Sequence, residues 1–148
     1  MNNMKKLLYI TLLALVTAIG CKPQEKPLTL EQKLCNEWRG SELSVDAAIY
    51  ISFLADGTFE LYQKMEDEFE LRRGTWTLKG TILSGIYNDG ETWASEYKVS
   101  VDENKLTMIS QNEGAETSVY IQCTIPSVIK EESTVIVKSG SPDCKSAL

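Results

Sequence analysis

Ser127 and Lys130 have the spacing of the S-x-x-K nucleophile pair, in which a lysine amine takes the proton of a serine hydroxyl. That chemistry needs a Lys-Thr-Gly partner and a much larger fold. A 148-residue chain without the partner motif carries the pair as a chance match of two fixed positions. Glu66-Asp67-Glu68 could gather a calcium ion, but an acidic triplet that interrupts an apolar pattern reads as a solvated turn. Other carboxylate pairs fall in turn segments, with no cleft to raise one pKa above its partner's. The chain contains no histidine, which removes His-based triads, imidazole general bases and His-ligated zinc. No catalytic residue, metal site or cofactor is expected, and the chain is not read as an enzyme.

The residue with the clearest chemistry is Cys21. Lys5 and Lys6 precede an uncharged apolar run of thirteen residues, Leu7 to Ile19. That is short of the roughly 20 residues that span a bilayer as a helix. The run shows almost no polar stripe at helical spacing, unlike a helix packed on a soluble core. It has the form of an export signal. Ala18-Ile19-Gly20-Cys21 resembles the lipobox of bacterial lipoproteins, a small residue before an acylatable cysteine, with Ala18 where leucine is usual. Residues 1–20 are therefore expected as a cleaved signal peptide. Residues 21–28, polar and punctuated by Pro23 and Pro27, are expected as a lipidated tether. Each acyl CH₂ contributes about 0.8 kcal/mol, so the two or three chains of a lipoprotein hold it on the membrane without a span.

Removing residues 1–20 leaves 128, takes away two lysines and no acid, and moves the formal charge from −6 to −8. An acidic domain without a basic run excludes nucleic acid as a partner class. One domain of this length can bury a real core.

The positioning elements follow from patterning. Thr29-Leu30-Glu31-Gln32 reads as a capping box opening a helix of about two turns, with Leu30 and Leu34 on one face. Beyond it the apolar period becomes two and stays there. A first strand is expected over Glu37 to Val45, followed by Ile49, Ile51 and Phe53, then the Ala55-Asp56-Gly57 turn, Phe59 and Leu61. Phe69 to Lys79 and Thr81 to Tyr87 come next, closed by Asn88-Asp89-Gly90. The longest alternation sets Trp93, Ser95, Tyr97, Val99 and Val101 on one face. Leu106 and Met108 follow, then Val119, Ile121 and Cys123, and Pro126 ends the last strand. Eight strands joined by short turns predict an all-β, antiparallel up-and-down barrel over residues 29–126, with an open sandwich as the alternative, and a C-terminal tail over 127–148 that carries one more β-like run, Thr134 to Val137.

The order Cys35-Asn36-Glu37-Trp38-Arg39-Gly40, Phe53-Leu54-Ala55-Asp56-Gly57-Thr58-Phe59, Arg73-Gly74-Thr75-Trp76 and Leu83-Ser84-Gly85-Ile86-Tyr87 resembles the lipocalin or calycin superfamily. More narrowly, it resembles the lipocalin-like lipoproteins of anaerobic gut Gram-negative bacteria. Asn36 stands where lipocalins usually place glycine two residues before the first tryptophan. The resemblance implies a barrel plugged at one end by its helix.

An eight-stranded barrel is just wide enough to be filled by side chains or to hold one small ligand. Trp76, Trp93 and Tyr97 are expected inside with Phe53, Phe59, Leu61, Leu78, Val99, Met108 and Ile121. They form either a solid aromatic core or the wall of an apolar pocket, with Arg72 or Arg73 at its mouth for an anionic head group. The expected function is a lipid-anchored, cell-envelope binding module for a small apolar ligand, placed most readily at the outer membrane. The alternative is an envelope hydrolase inhibitor or accessory subunit acting through barrel-end loops.

Closure of such a barrel sets the start of the first strand beside the end of the last, which favours a Cys35–Cys123 disulfide, with Cys144 as rival partner and three free thiols as the remaining alternative. Its loop of about ninety residues would be worth on the order of 4 kcal/mol. For the anchor, Cys21→Ser is expected to abolish incorporation of radioactive palmitate and to release or stall the protein; persistent labelling would overturn the lipobox reading.

Overall fold

Thr29 caps a helix, α1 (Leu30–Leu34), as the sequence pattern predicts. Its hydroxyl accepts the Gln32 N–H at 3.2 Å, and its own N–H donates to Gln32 Oε1 at 3.0 Å. Five residues cannot hold a helix alone. Leu34 is fully buried, and the Trp38 indole N–H donates to the Leu34 carbonyl at 2.9 Å, which fastens α1 to the first strand. The computed structural model describes residues 25–41 and 48–136. The signal segment, Cys21, the far end of the expected first strand and Cys144 lie outside the described residues.

Eight strands follow: β1 (Glu37–Gly40), β2 (Ile49–Phe53), β3 (Thr58–Met65), β4 (Glu68–Lys79), β5 (Ile82–Tyr87), β6 (Tyr97–Asp102), β7 (Lys105–Ser110) and β8 (Thr117–Gln122). Each pairs antiparallel with the next, and β8 returns to β1 with Trp38 opposite Gln122 and Gly40 opposite Tyr120. The result is a closed eight-stranded antiparallel barrel. Short-range chemistry makes the turns. Asp56 Oδ1 accepts both the N–H and the hydroxyl of Thr58, at 2.9 and 2.6 Å, while Gly57 takes φ +83°. The acidic triplet is a hairpin tip, with Glu66 at φ +51°.

The interior is packed. Trp38, Phe53, Phe59, Leu61, Trp76, Leu83, Trp93, Val99, Leu106 and Met108 form one buried cluster. Edge-on ring contacts run through it, Phe53 on Trp76 at 5.7 Å and Phe59 on Trp93 at 5.1 Å between centroids.

Three expectations need correction. First, the face of β8 is reversed: Tyr120 enters the core and Ile121 is exposed. Tyr120 stands opposite Gly40 and Leu106, on the face that looks into the barrel. A shift of one residue exchanges every side chain between faces. Second, the same reversal undoes the Cys35–Cys123 disulfide. Cys35 packs against the interior cluster and Cys123 against a different, outer one, and both are free thiols. Third, β6 begins at Tyr97 rather than Trp93. Residues 93–96 are a loop, although Trp93 and Ser95 stay buried on the predicted face.

The chain beyond Pro126 is also more than a tail. It forms a helix, α2 (Ser127–Glu132), and a short strand, β9 (Thr134–Val135), that pairs parallel with β4 at Glu70 and Leu71. Ile125 and Ile129 cover Tyr62 and Leu71 on the outside of the barrel, with Tyr50, Phe69 and Cys123 at the margin. Glu37 holds this cover down. Its carboxylate accepts the Ile125 N–H at 2.6 Å and pairs with Lys130, and its carbonyl accepts the Cys123 N–H at 2.9 Å. Glu37→Ala leaves the Ile125 N–H buried without an acceptor and is expected to cost about 2 kcal/mol in urea unfolding. Glu37→Gln, which can still accept that bond, is expected to lose less than half as much.

Candidate functional site

Alternation along β4 sends Arg72, Gly74 and Trp76 toward the interior and Arg73, Thr75 and Thr77 outward. Arg72 therefore enters the barrel mouth at the end away from α1. Its guanidinium lies 4.0 Å above the Tyr87 ring, 3.3 Å from Glu91 Oε2 and 3.8 Å from Asp89 Oδ2. Only 15% of its side chain is exposed. Arg73, on the outer face, meets Glu60 at 2.8 Å, and the Tyr62 hydroxyl donates to the same carboxylate at 2.8 Å. Burial would raise the Glu60 carboxyl, but the hydrogen bonds from Arg73 and Tyr62 outweigh it and hold the group below its usual range.

The two arginines nevertheless reach one pocket. β5 pairs with β4 only as far as Gly74 opposite Tyr87, and β9 takes up the same edge at Leu71 and Glu70. Arg72 and Arg73 fall in the notch between them. The notch holds about 290 Å³ and is lined also by Tyr87, Asn88, Asp89, Val135 and Ile136. Val135 and Ile136 are exposed apolar residues, 48% and 38% accessible.

Trp93 and Tyr97 are in ring contact, 6.1 Å between centroids, and Trp93 continues into the core against Phe59 and Phe53. Trp93 lies flush on Gly85: a Cβ there would stand 2.2 Å from Trp93 Cε2, so no side chain fits at position 85. The three tryptophans differ in one respect. Trp38 and Trp76 donate their indole N–H to the carbonyls of Leu34 and Thr58, each at 2.9 Å. Trp93 Nε1 is buried with no hydrogen-bond partner. Of the predicted site residues, Arg72 and Arg73 thus share the notch, Trp76 and Trp93 are both core residues, and Tyr97 packs on Trp93. Sequence reading missed Tyr87, Asp89 and Glu91 around Arg72. Asn88-Asp89-Gly90 signals a turn, and nothing local says that its carboxylate faces back onto an arginine.

Cys35, Cys123 and the S-x-x-K pair are not arranged as nucleophiles. Burial raises both thiols, helped by Glu31 at Cys35 and Glu37 at Cys123, so neither supplies a thiolate at neutral pH. Lys130 is engaged by Glu37 rather than by Ser127. Among the described residues no group of three acidic or sulfur ligands stands close enough to hold a metal ion. No helix among them is long and apolar enough to cross a membrane.

A family model for a lipocalin-like domain matches residues 35–108, from the start of β1 through most of β7. No curated protein and no solved structure matches the chain.

The tyrosines give the site a pH signature. Burial raises Tyr97 to about 12, and also raises Tyr62 and Tyr120. A group whose folded pKa exceeds its unfolded value stabilises the fold fully below the unfolded pKa, near 10 for tyrosine. That stability is lost as pH rises through the folded value. The barrel is therefore expected to weaken above about pH 10, and these tyrosines to ionise only as it opens. The tyrosinate absorbance of these three, isolated by Tyr→Phe difference, should appear together with the loss of near-ultraviolet circular dichroism. Ionisation of Tyr62, Tyr97 and Tyr120 while the dichroism is still native would contradict it.

Proposed function

The chain belongs to the lipocalin-like family, and from that premise we propose that it is a non-enzymatic, lipid-anchored binding module of the cell envelope. A lipocalin-like barrel fits the binding of small hydrophobic molecules, and the family is generally one of binders rather than catalysts. The ligand is a small apolar molecule carrying one anionic group. It sits at the barrel mouth and notch rather than deep inside, because aromatic rings already fill the interior. The observation that carries this reading is the notch itself, where two guanidinium groups meet exposed Val135 and Ile136. A carboxylate entering there would take the place of Glu91, the half-exposed partner of Arg72. The anchor and the outer-membrane location rest on the Cys21 motif.

The packed interior favours a second reading, in which mouth loops recognise an envelope protein such as a hydrolase. The two separate in a titration of tryptophan fluorescence. Laurate is expected to shift the emission of Trp93, and Arg72→Ala to weaken laurate about tenfold while leaving dodecanol unchanged, since only the charged contact is removed. A flat response to both amphiphiles would leave the loop-mediated reading in its place.

A further inference from the structure

One wall of the notch does not belong to the barrel. Val135 and Ile136 come from the arm that runs from Ile125 to Ile136 after the end of β8. The arm is first fixed at β1, where Glu37 accepts the Ile125 N–H at 2.6 Å and pairs with Lys130. Ile125 and Ile129 then cover Tyr62 of β3 and Leu71 of β4, beside Tyr50 of β2. The arm is fixed again at the far edge of β4. There Thr134 and Val135 pair with Glu70 and Leu71, and the Ile136 N–H donates to the Leu71 carbonyl at 3.0 Å. It therefore crosses the outside of β2, β3 and β4 and ends as the wall of a site beyond them.

Little else fastens it. α2 has six residues, well below the roughly 12–15 that stand alone as a helix in water. β9 pairs with β4 over two residues, against eight between β3 and β4. Ile125 and Ile129 are buried, whereas Val128, Val135 and Ile136 are exposed. An element with so few buried apolar contacts opens locally while the rest of the fold stays closed. Opening would reach the notch by two routes. Val135 and Ile136 would leave, and with them the apolar wall. Tyr62 would lose the cover of Ile129; its hydroxyl bonds one oxygen of Glu60, and the other oxygen holds Arg73, each at 2.8 Å.

We propose that this arm is a strap whose docking completes the notch, with Glu37 as its positioning residue. The inference rests on the reading of the notch as a ligand site and adds what controls it. Arg72 is set on β4 by Tyr87, Asp89 and Glu91, so an anionic group meets it whether the strap is docked or not. Val135, Ile136 and a held Arg73 meet the ligand only when the strap is docked. Ligand binding and docking therefore favour each other by the same factor in both directions. Glu37 touches no ligand and acts through the strap. Because the strap supplies apolar wall, its release weakens an uncharged amphiphile as well as a charged one. That separates Glu37 from Arg72, whose removal affects the charged one.

The test is amide hydrogen exchange of the purified chain, read in ¹H–¹⁵N spectra, with laurate and dodecanol affinities from titration calorimetry. Laurate at about ten times its Kd is expected to slow exchange of the Ile136 amide by about fivefold or more. Glu37→Ala should speed that exchange about tenfold, and Glu37→Gln, which still accepts the Ile125 bond, should restore most of the slow rate. Glu37→Ala combined with Ile129→Ser removes the strap's attachments without touching the notch lining. It is expected to weaken laurate and dodecanol by about fivefold or more each. Should the double variant lose the barrel spectrum, the Ile136 rates of the wild type and Glu37→Ala, with and without laurate, decide alone. An Ile136 amide indifferent to bound laurate, or a folded double variant that binds both amphiphiles as tightly as the wild type, overturns the strap and leaves the notch reading standing. A wild type that binds neither amphiphile overturns the notch reading, and the strap's role with it.

Discussion

Everything in this molecule depends on a four-residue strand pairing on both sides. β1 hydrogen-bonds to β2 along one edge and to β8 along the other, and without it the remaining strands would form an open sheet with two raw edges. Glu37 concentrates the load. Its backbone carbonyl receives the N–H that ends β8, and its carboxylate secures the chain that leaves the barrel. At the next position, Trp38 is completely buried and joins α1 to the core. Closure, the helical plug and the outer cover thus meet within two residues.

Closure also decides where chemistry can be. A ring of eight strands encloses a space that one layer of large side chains fills, and here the aromatic residues of β2, β3 and β4 and the 93–97 segment fill it. Polar groups are left to the discontinuities of the wall. One is the notch where β4 changes partner from β5 to β9, and the other is the seam where β5 and β6 part. Both sit next to interior aromatics, Tyr87 and Trp93. Recognition at the notch would reach the core through a single ring.

Legibility in the sequence followed the distance over which each feature is determined. The cap at Thr29 and the turns at Gly57 and Gly90 were readable because each depends on residues within a few positions. The barrel class was readable from the sustained period of two, and Phe53, Phe59, Trp76 and Val99 fell on the expected face. The face of β8 was not, because Val119 and Ile121 look as apolar as Tyr120; the face is fixed by register with Gly40, eighty residues earlier in the chain, and with Leu106. The outer cluster left a trace that went unread. Leu61 and Tyr62 are adjacent and both buried, which a one-sided strand does not allow. The pairing of Arg72 with Asp89 and Glu91, and the orphaned N–H of Trp93, exist only once strands distant in sequence lie side by side.

Gly85 carries a last implication, for how this surface can vary. The position tolerates no side chain, because the indole of Trp93 occupies the space a Cβ would need. On either side of it Ser84 and Ile86 point outward and meet no such limit. Thr75 and Thr77 on the adjacent strand are equally free. The inner face is thus frozen by a residue without a side chain, while the outward residues of the same strands can be exchanged at little cost to stability. A surface built this way can drift while the barrel beneath it stays the same.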